Sequence, residues 1–253
     1  MLLELLWLWR RPQAEVARLV RSVSGVDRVM EAHARGCGVV FLTPHLGCFE
    51  VAAQYAASYA PITVMYRPPR QRAFRALAES GRRRENVRLV PSNTRGATAL
   101  LAALRRGEWI GLLPDQVPAA DHGEWAEFFG RPAYTMTLAP RLAERSGAAI
   151  VLACCERLPH GCGYAMHLEP LPAPLPGETD VRCLNRALEN LIRRCPAQYL
   201  WSYNRYKVPA GVVGPQGLCA GAAVTAADGR NAGGTERHPE THVDERKALT
   251  GGG

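Results

Sequence analysis

A chain of 253 residues, 47% of them hydrophobic, can bury one sizeable core, and its length allows one large domain or two small ones. Its formal net charge of +8 is carried almost wholly by arginine, Lys207 and Lys247 being the two lysines, which suits anionic lipid headgroups or an acidic carrier protein as partners; the same enrichment also follows from a skewed genomic base composition. Neither G-x-G-x-x-G nor G-x-x-x-x-G-K-S/T occurs, so no nucleotide cofactor is indicated, and no RNA- or DNA-binding motif accompanies the basic charge, so nucleic acid is not an expected partner.

The opening M-L-L-E-L-L-W-L-W-R-R is far short of the ~20 apolar residues that cross a bilayer. Glu4 interrupts its apolar stretch and Arg10 and Arg11 follow it, the reverse of a signal peptide. Its leucines and two tryptophans suit a segment lying at a membrane interface, and equally the first helix of a globular core. Gln13–Ala34 reads as one helix, with Val16, Leu19, Val20 and Val23 on a single face.

Gly36 and Gly38 lead into Val39–Leu42, an apolar run that predicts a buried strand ended by Pro44. His45 then falls at the strand's C-terminal tip, where open α/β sheets carry ligand chemistry, and Glu50 in the first turn of a helix beginning near Phe49. The pair reads as a general base with an orienting carboxylate. Histidine takes a proton near neutral pH, and a carboxylate on its other nitrogen sets the tautomer and stabilises the imidazolium. Its i, i+5 spacing puts the two side chains about 140° apart on a helix, which disfavours a zinc pair, and no metal site is expected.

After a break at Pro61, Ile62–Tyr66 reads as the second strand, and Arg67 at its end can reach the cleft that holds His45. Arg88–Pro91 suggests a short strand, Gly96–Arg106 a helix closed by Gly107, and Trp109–Leu113 another buried strand with Asp115 and Gln116 at its tip. Three strand tips thus bring polar side chains toward one edge; Asp115 reads equally as the cap of a turn after Pro114. Thr135–Ser146 is expected as a helix, Ala148–Cys155 and Gly161–Leu171 as strands, and Val181–Arg194 as a helix after a proline-rich connection. Tyr199–Lys207 mixes aromatic and basic residues as interfacial segments do. From Ala210 the apolar periodicity disappears and disorder is expected. The eight cysteines show no C-x-x-C pairing and sit mostly in apolar contexts, as buried hydrophobes in a reducing compartment do. Cys48 lies inside the His45 motif and could act as an acyl-carrying nucleophile with His45 as its base, but within the His-to-Glu turn its side chain need not face that base.

Six blocks occur in order: T-P-H-L-G-C-F-E (Thr43–Glu50), Y-R-P (Tyr66–Pro68), G-R-R-R (Gly81–Arg84), R-R-G-E-W-I-G-L-L-P-D-Q (Arg105–Gln116), F-F-G-R-P-A (Phe128–Ala133) and Q-Y-L-W-S-Y-N-R-Y-K (Gln198–Lys207). Together they resemble the late lipid A acyltransferases, the lauroyl/myristoyl family, over about residues 1–209. The resemblance implies an α/β fold of the glycerolipid-acyltransferase type, with a mixed, mostly parallel sheet flanked by helices and an active site at the strand C-terminal tips. It implies His45 and Glu50 as catalytic residues and Arg67, Arg82, Asp115 and Gln116 as substrate-binding residues, with Leu46 and Gly47 supplying backbone donors to the oxyanion. It further implies acyl carrier protein as donor, a lipid A precursor as acceptor, no cofactor, an acyl pocket lined by the Trp125–Phe128 block, and residence on the cytoplasmic face of the bacterial inner membrane. Members usually begin with a membrane-spanning helix, which this sequence lacks at residues 1–12; residues 13–209 then form the catalytic domain and 210–253 a tail. A different acceptor, such as a lysophospholipid or ornithine lipid, a catalytically silent paralogue, and a hydrolase using the same histidine are the other readings of the blocks.

Overall fold

The computed structural model describes residues 2–68 and 72–215, so the tail expected from 210 lies almost wholly outside the described residues. In chain order the elements are α1 (Leu2–Trp9), α2 (Gln13–Arg18), β1 (Val20–Ser24), α3 (Val26–Ala34), β2 (Val39–Leu42), α4 (Phe49–Ala56), β3 (Ile62–Tyr66) and α5 (Arg72–Arg82). There follow β4 (Val87–Pro91), α6 (Thr94–Arg105), β5 (Trp109–Leu112), β6 (Gly123–Phe128), β7 (Arg131–Met136), α7 (Leu138–Ser146), β8 (Ala149–Arg157), β9 (Tyr164–Pro170) and α8 (Asp180–Arg194).

Seven strands form one sheet in the order β1-β9-β8-β2-β5-β3-β4. From β8 to β4 every neighbour is parallel, whereas β9 runs antiparallel to β8 and β1 pairs parallel with β9. The fold is therefore the mixed, mostly parallel α/β arrangement that the six blocks implied. Parallel strands buried on both faces need apolar side chains at every position, which is why the four residues of β2 and of β5 are all buried. Alternation then sorts them. Val40, Leu42, Ile110, Leu112 and Leu152 pack with Leu100 and Leu104 of α6 and Leu184, Leu188 and Leu191 of α8, while Val39, Phe41, Trp109, Val151 and Ala153 face Val29 and Ala32 of α3. Each fully buried leucine of this kind contributes about 1.5–3 kcal/mol.

The sequence reading and the structure part in three places. The helix expected over Gln13–Ala34 is broken by β1, because Val20 and Val23 are β-branched and find a partner strand in β9. Gly25 then turns the chain at φ 78°, so close to β9 that an added Cβ would lie 1.9 Å from the Leu168 carbonyl oxygen. Thr135 and Met136 belong to β7, which pairs with β6 in a two-stranded hairpin closed at Phe129 and Gly130, both at positive φ, so α7 starts only at Leu138. The stretch between β3 and β4, for which no element was expected, carries α5. Among the described residues no helix is long and apolar enough to cross a membrane. Helix α1 packs as a helix of the domain, with Leu5, Leu8 and Trp9 buried and Trp7 exposed beside Arg11.

Candidate active site

The parallel register of β2 and β5 builds the site. Leu42 pairs with Leu112, and the Thr43 N–H donates to the Leu112 carbonyl at 3.0 Å, so the strands leave the sheet in step. Pro44 and Pro114 end both, and the third residue beyond each strand is His45 on one and Asp115 on the other. Asp115 is almost fully buried. Its Oδ2 accepts from the His45 backbone N–H at 2.9 Å and its Oδ1 lies 2.8 Å from His45 Nδ1. A carboxylate at that distance makes Nδ1 the protonated nitrogen, which leaves the Nε2 lone pair free to accept. Gln116 Nε2 sits 3.3 Å from His45 Nε2, and the Phe49 ring meets the imidazole edge to face at 5.0 Å.

The loop carrying His45 is braced on every side. Leu200 N–H donates to the His45 carbonyl at 3.0 Å, Gly47 N–H to Gln198 at 3.2 Å, and Cys48 N–H to Cys155 at 2.7 Å. Gly47 takes φ 59° and lies so near β8 that an added Cβ would come within 2.1 Å of the Cys155 carbonyl oxygen. Leu46 N–H points to the Pro44 carbonyl at 2.6 Å. The backbone donors expected from Leu46 and Gly47 for an oxyanion are thus engaged within the fold, because bracing the loop uses them.

Glu50 lies in the first turn of α4 as expected, but its carboxylate does not hydrogen-bond to the His45 ring. Arg82 Nε donates to Oε1 at 2.8 Å and to Oε2 at 3.0 Å, Arg82 Nη2 also bonds Oε1, and Trp9 Nε1 donates to Oε2 at 3.4 Å. The His45–Glu50 dyad read from spacing is replaced by two pairs, His45 with Asp115 and Glu50 with Arg82. The reason is direction: α4 turns Glu50 toward α1 and α5, whereas the strand register delivers Asp115 to the imidazole. Burial works against the Arg82 charge, but the bonds to Glu50 outweigh it and raise the guanidinium pKa. Arg82 also stacks over Tyr66, with its Cζ 4.7 Å from the ring centroid.

A cavity of about 690 Å³ brings these groups together. Its polar mouth includes His45, Glu50, Arg67, Arg82 and Gln116, so five of the six residues singled out from the sequence line it, and Asp115 stands behind His45. Arg67 is exposed and has no carboxylate partner among the described residues. Inward the cavity becomes an apolar chamber between α4 and one face of the sheet, walled by Ala52, Ala56, Phe41, Val64, Gly111 and Ala153 with Trp109 deeper in. The Trp125–Phe128 block does not line it. Phe128 packs into the core formed with α8, on the other face of the sheet. Cys48 is buried, and burial followed by the Glu4 charge pushes its thiol up to about 12, so it stays protonated and is no nucleophile near neutral pH.

Sequence reasoning missed three supporting residues. Trp9 reaches Glu50 from α1. The Tyr203 hydroxyl accepts from the Val117 N–H at 2.9 Å, next to Gln116. Arg205, buried, donates to the Tyr134 carbonyl at 2.8 Å and to Thr135 Oγ1 at 2.6 Å, tying the segment after α8 to β7. The paired offsets of T-P-H and L-P-D beyond their strands were the one signal in the sequence for the Asp115 contact.

Residues 1–208 match the family described as bacterial lipid A biosynthesis acyltransferase. The chain is 27% identical over 210 residues to the lipid A biosynthesis palmitoleoyltransferase of Escherichia coli K12, an alignment covering 81% of this chain and 67% of that protein. It is 28% identical over 211 residues to the lipid A biosynthesis lauroyltransferase of the same organism, with the same coverage, and 25% identical over 180 residues to a lipid A biosynthesis acyltransferase of Haemophilus influenzae, covering 70% of this chain and 56% of that one. The matched segment holds every element that builds the His45 site, and the chain belongs to the bacterial lipid A biosynthesis acyltransferase family.

Proposed function

We propose that this acyltransferase moves a fatty acyl chain from the thioester of acyl carrier protein to a hydroxyl of a lipid A precursor on the cytoplasmic face of a bacterial inner membrane, within lipopolysaccharide biosynthesis. The observation that carries the reading is the junction at His45, whose ring is held at Nδ1 by Asp115 and lines a chamber with room for a hydrocarbon chain. The lipid A acceptor is supported by the names of the similar enzymes. The formal net charge of +8 and the exposed Trp7 and Trp201 support a membrane surface with anionic lipid.

In this mechanism the acyl chain lies in the chamber with its thioester carbonyl at the mouth. The acceptor hydroxyl displaces Gln116 from His45 Nε2, which takes the hydroxyl proton as the oxygen attacks the carbonyl carbon. Asp115 stabilises the imidazolium. Arg82, fixed by Glu50, and Arg67 supply positive charge to the tetrahedral oxyanion. The C–S bond then breaks, the imidazolium returns its proton to the thiolate, and the ester and free carrier thiol leave. General base catalysis of this kind contributes about 10²–10⁴-fold. The acyltransferase unit spans residues 13–209, with α1 packed on it.

The test is incubation of the purified protein in detergent with acyl carrier proteins loaded with chains of graded length and a lipid A precursor, read by mass spectrometry. A mass gain of one acyl chain, abolished in a folded His45→Ala variant, is the expected result. No gain with folded wild-type protein overturns the reading.

A further inference from the structure

We infer that Trp9 of α1 is a positioning residue for the reaction, acting through the Glu50–Arg82 pair; the inference rests on the function proposed above. Three independent contacts meet at this side chain. Its Nε1–H donates to Glu50 Oε2 at 3.4 Å, and its ring lies within 5.7 Å of the Arg82 guanidinium carbon. Its ring also fills the space over Gly81, where an added Cβ would come within 2.2 Å of Trp9 Cγ. Only a residue without a side chain lets the indole settle there.

The same helix end secures the backbone of Trp9. Arg84 Nη2 donates to the carbonyls of Trp9 at 3.0 Å and Leu8 at 3.3 Å, occupying acceptors that the end of α1 leaves open, and Arg84 Nε donates to Gln54 Oε1 at 3.2 Å. Gln54 stands one turn beyond Glu50 on α4. The G-R-R-R block is therefore a bracket. Gly81 admits the indole, Arg82 grips Glu50, and Arg84 ties α1 to α4.

The consequence for catalysis follows from where Glu50 can move. Among the described residues Arg82 and Trp9 are its two side-chain donors, and with Trp9 removed the carboxylate and its guanidinium gain a void and water on the α1 side. A cation that must meet charge appearing only in the transition state loses effect when displaced by a fraction of an ångström, with little change in substrate binding. Trp9→Ala should therefore lower kcat about tenfold, the size of one hydrogen bond to a charged group, and leave KM within about twofold. Trp9→Phe keeps the ring over Gly81 and should recover part of the loss.

The experiment combines Trp9→Ala, Trp9→Phe, Gly81→Ala and the double variant Trp9→Ala/Gly81→Ala, with Leu5→Ala as a packing change on the buried face of α1. Gly81→Ala should expel the indole and reproduce Trp9→Ala, and the double variant should be no slower than either alone. Leu5→Ala should lower thermal stability while kcat stays unchanged. The inference is overturned if the Gly81 and Trp9 effects multiply, or if kcat falls in Leu5→Ala in proportion to stability as it does in Trp9→Ala. If folded wild-type protein transfers no acyl chain, the function proposal fails separately, and nuclear magnetic resonance of the Trp9 indole N–H, assigned by its loss in Trp9→Phe, decides this one. Faster solvent exchange of that proton in Glu50→Ala, which removes the acceptor, supports the contact, and unchanged exchange overturns it.

Discussion

One carboxylate holds both the main chain and the side chain of His45: Asp115 accepts from the backbone N–H at 2.9 Å through one oxygen and meets Nδ1 at 2.8 Å through the other. Seventy residues separate the two in sequence. A parallel strand pair in matched register places them side by side, and the double contact sets loop geometry and tautomer together.

Asp115→Asn removes the charge that stabilises an imidazolium and offers Nδ1 an amide instead, which permits the wrong tautomer. We expect kcat/KM to fall by about 10²–10⁴-fold. Folding should suffer by only about 1 kcal/mol, since the amide oxygen can still accept from the His45 N–H. Steady-state kinetics and denaturant unfolding of the same preparation check the two parts.

Glu50→Ala leaves the partly buried Arg82 guanidinium without its carboxylate. Removing one partner of such a pair should destabilise the protein by about 3 kcal/mol, and replacing Arg82 by Met in the same variant should recover much of it. Urea unfolding of the two single variants and the double variant measures this. Both single variants should lose transferase activity, because the pair is expected to act as one unit.

Cys48 should be inert. With its thiol pushed up to about 12, iodoacetamide at pH 8 should label the exposed Cys162 and leave Cys48 unlabelled in peptide mapping, and Cys48→Ala should retain activity. The sign of the linkage is set by the raised value: the neutral thiol favours the folded state below its ordinary value of 9.0, and that contribution is lost as pH rises toward about 12. Alkaline destabilisation over that window should be smaller in Cys48→Ala.

Gly111 leaves the chamber open midway along β5, where an added Cβ would meet Val64 Cγ2 at 3.3 Å. Gly111→Leu should block the chamber below His45 and shift the preferred donor to shorter chains. A change in pocket depth of a methylene or more alters discrimination by about 10–200-fold, so competition between long and short acyl donors should show a shift of at least about tenfold. An unchanged chain preference in an active variant would remove the chamber from the acyl path.

The strands were readable because burial on both faces demands unbroken apolar runs, as in V-V-F-L and W-I-G-L, and the same local logic set His45, Arg67, Asp115 and Gln116 at strand tips. The ordered blocks identified the family for a comparable reason: motif spacing survives in the linear text. Partners did not. Spacing suggested Glu50 for His45, whereas Asp115 holds the ring, because hydrogen-bond partners depend on which strands become neighbours and in what register, and no local pattern encodes that. Val20 and Val23 looked like one face of a long helix until β9 offered them an edge. Trp9 looked like a residue for a membrane surface until Gly81 made room for it against Glu50. The sequence by itself determined which segments are buried and which chemistry stands at their ends; the tertiary structure alone decided which charges meet, since each such contact is made between chain segments whose separation the linear order leaves free.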